Sequence, residues 1–169
     1  MKKIIQIKPE VKQYIINSNK LTESWIARIP SIYQIEVMSK CDFSCSFCQT
    51  GIQNGEKLRL AESSINEELF YKIVERDLGG SSFVELQWRG EPTLNKKLNE
   101  YVLALRDKVL VGFSTHGGLL HTDHAMQAAL NSHYITISMD AGEKELYEQL
   151  RIGGVWEKLV ANITEFLQA

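Results

Sequence analysis

Ile32-Tyr-Gln-Ile-Glu-Val-Met38, then Ser39-Lys40, then Cys41-Asp-Phe-Ser-Cys45-Ser-Phe-Cys48, is the stretch on which the fold turns. The first seven residues alternate, with Tyr33, Ile35 and Val37 on one face, and predict a half-buried strand. The eight residues after Lys40 hold all three cysteines of the chain, spaced CxxxCxxC. Three clustered thiolates are one ligand fewer than a structural zinc takes. They are also one fewer than a cubane iron–sulfur cluster normally takes. The spacing therefore points to a cluster with one iron left open, and an open position is where chemistry happens. The rival readings are a structural zinc completed by a histidine, or buried free thiols.

Outward from that loop the pattern is regular. Ser64 and Glu67 form the sequence of a capping box, followed by a helical stripe of Ile65, Leu69, Ile73 and Val74. Gly79-Gly80 closes that helix. Phe83–Trp88 is a second strand, and Leu94, Leu98, Tyr101 and Leu105 mark a second helix. Val109–Ser114 is a third strand, with a helix from about Thr122. Tyr134–Met139 is a fourth, followed by a short helix after Asp140-Ala-Gly142 and a last helix through Val155, Leu159, Ile163 and Phe166. Strand–helix repeated four times predicts an α/β fold with a parallel sheet and right-handed crossovers. Polar landmarks fall after each strand: Cys41, then Gly90-Glu91, then Thr115-His116, then Asp140. Parallel α/β folds place ligand sites at that edge.

The chain has 169 residues, 44% hydrophobic and 24% charged, which suits one domain with a real core. Residues 1–30 read as a lead-in, with a helix after Pro9, and 31–169 as the core. A net charge of −2 gives no electrostatic reason to expect nucleic acid. No apolar run is long enough to span a bilayer, and the short Ile4–Ile7 run cut off by Lys8-Pro9 is no signal peptide. Clustered cysteines of this kind suit a reducing cytoplasm. His121 and His124 straddle a helix start and read as exposed polar residues. Trp25, Trp88 and Trp156 read as packing residues.

These residues resemble the radical S-adenosylmethionine (SAM) superfamily. Cys41, Cys45 and Cys48 stand as its CxxxCxxC motif, with the aromatic Phe47 before the last cysteine. Arg89-Gly90-Glu91-Pro92-Thr93 is similar to its GGEPT segment, and Ser114-Thr-His-Gly-Gly-Leu-Leu120 to its TNG-x-LL segment. Ser138-Met-Asp-Ala-Gly142, followed by Tyr147 and Arg151-Ile-Gly-Gly154, is similar to SLDG…Y…R-x-GG. Ile29–Glu36 is similar to branches that modify peptides or carry further clusters. The likeness runs from about Pro30 to the C-terminus.

The resemblance implies a partial (β/α) barrel and an enzyme. Cys41, Cys45 and Cys48 would ligate a 4Fe-4S cluster, whose fourth iron would chelate the amino and carboxylate groups of SAM. An electron from the reduced cluster, supplied by a donor such as flavodoxin or ferredoxin, would break a carbon–sulfur bond. The resulting 5′-deoxyadenosyl radical would abstract hydrogen from an unidentified peptide or small-metabolite substrate. The cofactor carries that chemistry, while the protein positions it and excludes water. By the same likeness, Phe47 shields the cluster or packs. Gly90 and Glu91 meet the methionyl amine, and Ser114, Thr115, Ser138 and Asp140 meet the ribose or carboxylate. Arg151 forks onto the SAM carboxylate. Thr136, Ser138 and Asp140 share a strand face, which would look into the barrel.

Two departures stand out. Arg89 replaces the first glycine of GGE, and His116 stands where the family has Asn. The superfamily's barrel has six βα units and this chain offers four, so it reads as truncated after the fourth. The alternative function is therefore a partial iron–sulfur module, inactive alone, whose barrel is completed by a partner chain or by self-association. The open edge of the fourth strand invites such pairing.

Overall fold

The structure is a computed structural model that describes residues 32–48, 52–53, 56–57, 63–76, 78 and 83–169. The lead-in, with the helix expected after Pro9 and with Trp25, lies outside the described residues, as do Gly79 and Gly80.

In chain order the elements are β1 (Ile32–Gln34), β2 (Ile52–Gln53), β3 (Glu56–Lys57), α1 (Glu67–Arg76) and β4 (Phe83–Glu85). Then come α2 (Leu98–Leu105), β5 (Leu110–Thr115), α3 (Asp123–Asn131), β6 (Tyr134–Ile137), α4 (Lys144–Leu150) and α5 (Trp156–Gln168). A 3-10 turn, Pro92–Leu94, precedes α2. Four strands form one sheet in the order β1-β4-β5-β6, parallel throughout. The four parallel βα units expected from the alternation are therefore present. The small antiparallel β2–β3 pair follows the cysteine loop and has no counterpart in the expectation.

Three of the four strands are shorter than the alternation suggested. β1 and β4 end at Gln34 and Glu85, although Ile35 N still donates to Glu85 O at 2.9 Å. Beyond that point the chains separate, because Glu36 turns its carboxylate to the β4 loop, taking Arg89 N–H at 2.9 Å. The expected Ser64–Glu67 capping box is replaced. Ser64 is extended in an antiparallel bridge to Met38, and the α1 cap is Asn66, whose Oδ1 accepts Leu69 N–H at 2.9 Å.

The two faces of the sheet differ in chemistry. Ile35, Val37, Val84, Leu86, Val111 and Phe113 are buried on the helix side, against Phe70 and Val74 of α1 and Leu98, Tyr101, Val102 and Leu105 of α2. The small Ala125, Ala128 and Ala129 present α3 to the same core. The Phe70 and Tyr101 rings stack at 4.0 Å. Burying one such aromatic contributes on the order of 2–3 kcal/mol. The other face is aromatic at its start, where the Phe83 and Tyr134 rings lie 5.0 Å apart, and polar toward the C-terminal ends of the strands. Gln34 Nε2 and Ser114 Oγ donate to the two oxygens of Glu85 at 3.1 and 3.2 Å, and Thr136, in register with Ser114, is exposed. A sheet covered by helices on one side, with polar residues on the other toward its C-terminal edge, is one wall of a partial barrel.

Candidate functional site

A cavity of about 300 Å³ opens at the C-terminal ends of the strands. The loop after β1 contributes Cys41, Phe43, Cys45 and Cys48, and the loop after β4 contributes Gln87, Trp88, Arg89, Gly90 and Glu91. Ser114, Thr115 and His116 come from the end of β5, Ser138 from the end of β6, and Arg151 from the turn after α4. Segments far apart in sequence converge here because parallel strands all deliver their C-terminal ends to one edge.

The cysteine loop is held from two sides. Ser44 N and Ser46 N donate to the carbonyls of Ile152 and Leu150 at 2.8 and 3.0 Å, which ties the loop to the turn after α4. On the other side, Asp42 Oδ1 lies 2.8 Å from His116 Nε2, and Phe43 stacks on the His116 ring at 3.8 Å with 5° between planes. His116 Nδ1 accepts Gly118 N–H at 2.9 Å. A nitrogen that accepts a hydrogen bond carries no proton, so Nε2 holds the ring proton and donates it to Asp42.

The cysteines are free thiols. Burial pushes Cys41 up from its usual 9.0 to about 12, with Glu91, Asp42 and Cys45 adding in the same direction against a backbone hydrogen bond from Phe43. Burial also raises Cys45, against the opposing pull of Arg151, whose Nη1 lies 3.6 Å from its sulfur. Partly buried thiols lining one cavity, with Arg151 as a countercharge at Cys45, are a donor set that a thiophilic metal fits, because the metal provides further positive charge and displaces the protons. Cys41, Asp42 and His116 also bring ligand atoms within 4.8 Å of one another. Both His116 nitrogens are already committed, so the zinc reading would have to break the clamp.

The segment after β4 is shaped by close approach. A Cβ on Gly90 would lie 1.9 Å from the Met38 carbonyl oxygen, so this position tolerates glycine alone. Glu91 N donates to Lys40 O at 2.8 Å, which fixes the residue just before Cys41. The Glu91 carboxylate is only 3% exposed. Its Oε1 accepts Thr93 N–H at 3.1 Å and the hydroxyls of Thr93 and Thr115 at 2.6 Å each. Its Oε2 accepts His116 N–H at 2.9 Å.

Of the residues expected at the site, Cys41, Cys45, Cys48, Gly90, Glu91, Ser114, Thr115, Ser138 and Arg151 line the cavity. Glu91 and Thr115, however, spend their side chains on each other. Phe47 and Asp140 are placed differently from the expectation. Phe47 is 55% exposed and its ring centroid lies 5.1 Å from the Arg151 guanidinium carbon. Asp140, in a left-handed conformation at φ 58, is turned to Arg151. Trp88, expected to pack, is 53% exposed and lines the cavity, whereas Trp156 does pack, against Tyr147. His124 Nε2 lies 2.8 Å from the Thr93 carbonyl oxygen. Sequence reading missed Glu36, Phe43 and the clamp role of His116. Only the departure of His116 from Asn hinted at any of them.

The radical SAM superfamily model matches residues 35–169. Among solved structures, the chain is similar to SuiB of Streptococcus suis bound to S-adenosylmethionine, with TM-score 0.67, 18% identity, and 93% of this chain against 35% of that one. SuiB bound to precursor peptide SuiA gives TM-score 0.65 and 19% identity, over 93% of this chain and 34% of that one. The structure of anSMEcpe with bound AdoMet gives 0.63 and 21%, over 81% and 40%. These identities show a shared fold. A protein of Brachyspira hyodysenteriae named GTPase Obg is 26% identical over 133 residues, 75% of this chain and 20% of that protein. The chain thus spans a fifth of that relative and about a third of SuiB.

Proposed function

Because the chain belongs to the radical SAM superfamily, enzymes that use a 4Fe-4S cluster and SAM, we propose that Cys41, Cys45 and Cys48 ligate that cluster and the adjoining cavity seats SAM. The observation that carries this reading is the convergence of all three thiols with the ends of β4, β5 and β6 on one cavity. When bound, the cluster supplies the electron that splits SAM and yields a 5′-deoxyadenosyl radical for hydrogen abstraction. The chain's own residues bind and orient. Gly90 lets the β4 loop close on the cysteine lead-in, and Glu91 braces that loop against β5. Ser114 and Ser138 line the cavity from adjacent strands, with the Ser114 hydroxyl donating to Glu85. The polar sheet face below them, with Gln34, Glu85 and Thr136, is the wall a substrate would meet.

The unit that acts is residues 31–169, with 1–30 as a lead-in. The substrate is a peptide or a small metabolite, and the SuiB structure bound to its precursor peptide supports the first. A flavodoxin- or ferredoxin-type donor would reduce the cluster. A cytoplasmic location suits oxidation-sensitive thiols, and among the described residues no helix is long and apolar enough to cross a membrane. GTP chemistry is not carried across from the Brachyspira protein, since a P-loop needs a Gly-Lys pair and this sequence contains none.

One observation favours a second reading. Among the described residues β6 pairs only on its β5 side, and Thr136 beside that edge is exposed. On this reading the chain holds cluster and SAM but turns over only when a partner chain or second copy covers the edge.

Anaerobic reconstitution tests both. Iron and sulfide near four per chain, with visible absorbance lost in Cys45→Ala, is the expected result. 5′-Deoxyadenosine formed from SAM under strong reductant by the chain alone selects the first reading. Cluster binding without it selects the second. One zinc per chain and no iron would sink both.

A further inference from the structure

The guanidinium of Arg151 is already committed to the protein. Its Nε and Nη2 both donate to Asp140 Oδ2. Its Nη1 points at Cys45 Sγ from 3.6 Å, and its face lies over the Phe47 ring. The side chain is only 14% exposed. The backbone around it is equally tied down. Leu150 and Ile152, its two chain neighbours, accept hydrogen bonds from Ser46 N and Ser44 N, on either side of Cys45. Gly154 N closes the turn onto the Arg151 carbonyl at 2.7 Å. Beneath that turn the Tyr147 hydroxyl is buried and unpartnered among the described residues, and a Cβ on Gly154 would come within 2.7 Å of it. Arg151 is therefore a fixed donor aimed at one sulfur.

We propose that Arg151 is a positioning residue that acts through Cys45, donating to its sulfur and raising the reduction potential of the cluster that Cys45 ligates. The inference rests on the cofactor reading above. A reduced cluster carries one more negative charge than the oxidised one, and much of it resides on sulfur. A cationic N–H donor at a ligand sulfur therefore stabilises the reduced form, as hydrogen bonds to sulfur do in iron–sulfur proteins generally. Asp140 holds the fork in place and partly neutralises it. The left-handed conformation of Asp140 brings its carboxylate back to the arginine eleven residues on.

The test is an EPR-monitored redox titration of the reconstituted full chain and of R151K, R151M and D140N, each checked for folding by circular dichroism. The potential is expected to move negative in R151M, less so in R151K, which keeps a charge but not the fork. In D140N it is expected to move as the fork loses its anchor. An R151M cluster with the wild-type potential but weakened SAM binding would overturn this role and return Arg151 to the SAM carboxylate. A wild-type chain that takes up no iron would instead overturn the cofactor reading, and this inference with it.

Discussion

Asp42, inside the cysteine loop, and His116, at the end of β5, lie 74 positions apart in sequence and meet at 2.8 Å. The pair joins the segment that carries the thiols to the strand end that forms the opposite wall. Removing the imidazole in His116→Ala breaks a hydrogen bond to a carboxylate, about 1.5–3 kcal/mol, and an aromatic stack, about 0.5–1.5 kcal/mol. Asp42 is 39% exposed, so water screens the bond and the low end applies. We expect a loss of about 2 kcal/mol in urea unfolding of the metal-free protein. Iron uptake during reconstitution should also slow. His116→Asn, which keeps a donor but no stacking ring, should lose less.

Gly90 passes so close to the Met38–Ser39 backbone that no rotamer relieves an added methyl. Overpacking against a movable side chain costs about 1–3 kcal/mol, and against backbone the upper end applies. Gly90→Ala should therefore lose roughly 3 kcal/mol in the same unfolding assay and displace Lys40 and Cys41. An alanine variant with wild-type stability and iron content would show that the two segments are not in contact.

Much of the fold was legible because its signals are periodic. Tyr33, Ile35 and Val37 alternate, and polar landmarks follow each strand at the edge where parallel sheets bind ligands, whereas the helical stripes hold only in part: Val74 and Leu159 are buried, but Leu69 and Val155 are exposed and Phe70 fills the core instead. Features that depend on long-range pairing were not legible. Nothing local to Asp42 announces His116, and nothing local to Ser64 says that it will bridge Met38 and leave the cap to Asn66. The ladders of β1 and β4 end early because Glu36 binds the β4 loop, a contact across 53 positions. Glu91 shows the same limit at the site itself. Its place in the motif could be read, but whether its carboxylate faces the cavity or braces β5 is decided by Thr93, Thr115 and His116.

That bracing makes Glu91 a stability residue as well as a site residue. In Glu91→Ala, the Thr115 and Thr93 hydroxyls and the His116 N–H all lose their acceptor in a buried setting. Each buried unsatisfied donor costs about 1–3 kcal/mol. With partial relaxation we expect a total of roughly 3 kcal/mol or more, seen as a lowered midpoint in thermal or urea unfolding of the metal-free chain. Glu91→Gln keeps one acceptor oxygen but points an amide at donors, so it should fall between wild type and alanine. If both variants unfold like wild type, the carboxylate faces the cavity.

Cys41 yields the pH-dependent prediction. Burial lifts its thiol from 9.0 to about 12, so at pH 8 only on the order of one in ten thousand molecules carries the thiolate. The thiolate is the species that alkylates and that binds iron. Its fraction grows about tenfold per pH unit for as long as the pH stays below the pKa. In the metal-free protein, alkylation of Cys41 by iodoacetamide, followed by peptide mass spectrometry, should therefore climb about tenfold per unit from pH 7 to pH 10 without levelling. A thiol at its usual value would level off near pH 9. The folded chain holds this proton more tightly than the unfolded chain does. Stability should accordingly decline as pH rises from about 9 toward 12, where the unfolded thiol has ionised and the folded one has not. Iron binding replaces the proton, so uptake of ferrous iron should release acid and strengthen with rising pH over the same range. Protected Cys41 after loading, beside reactive Cys41 before it, is the expected pair of results. A rate that plateaus at pH 9 in the metal-free chain would show that the loop opens the thiol to water.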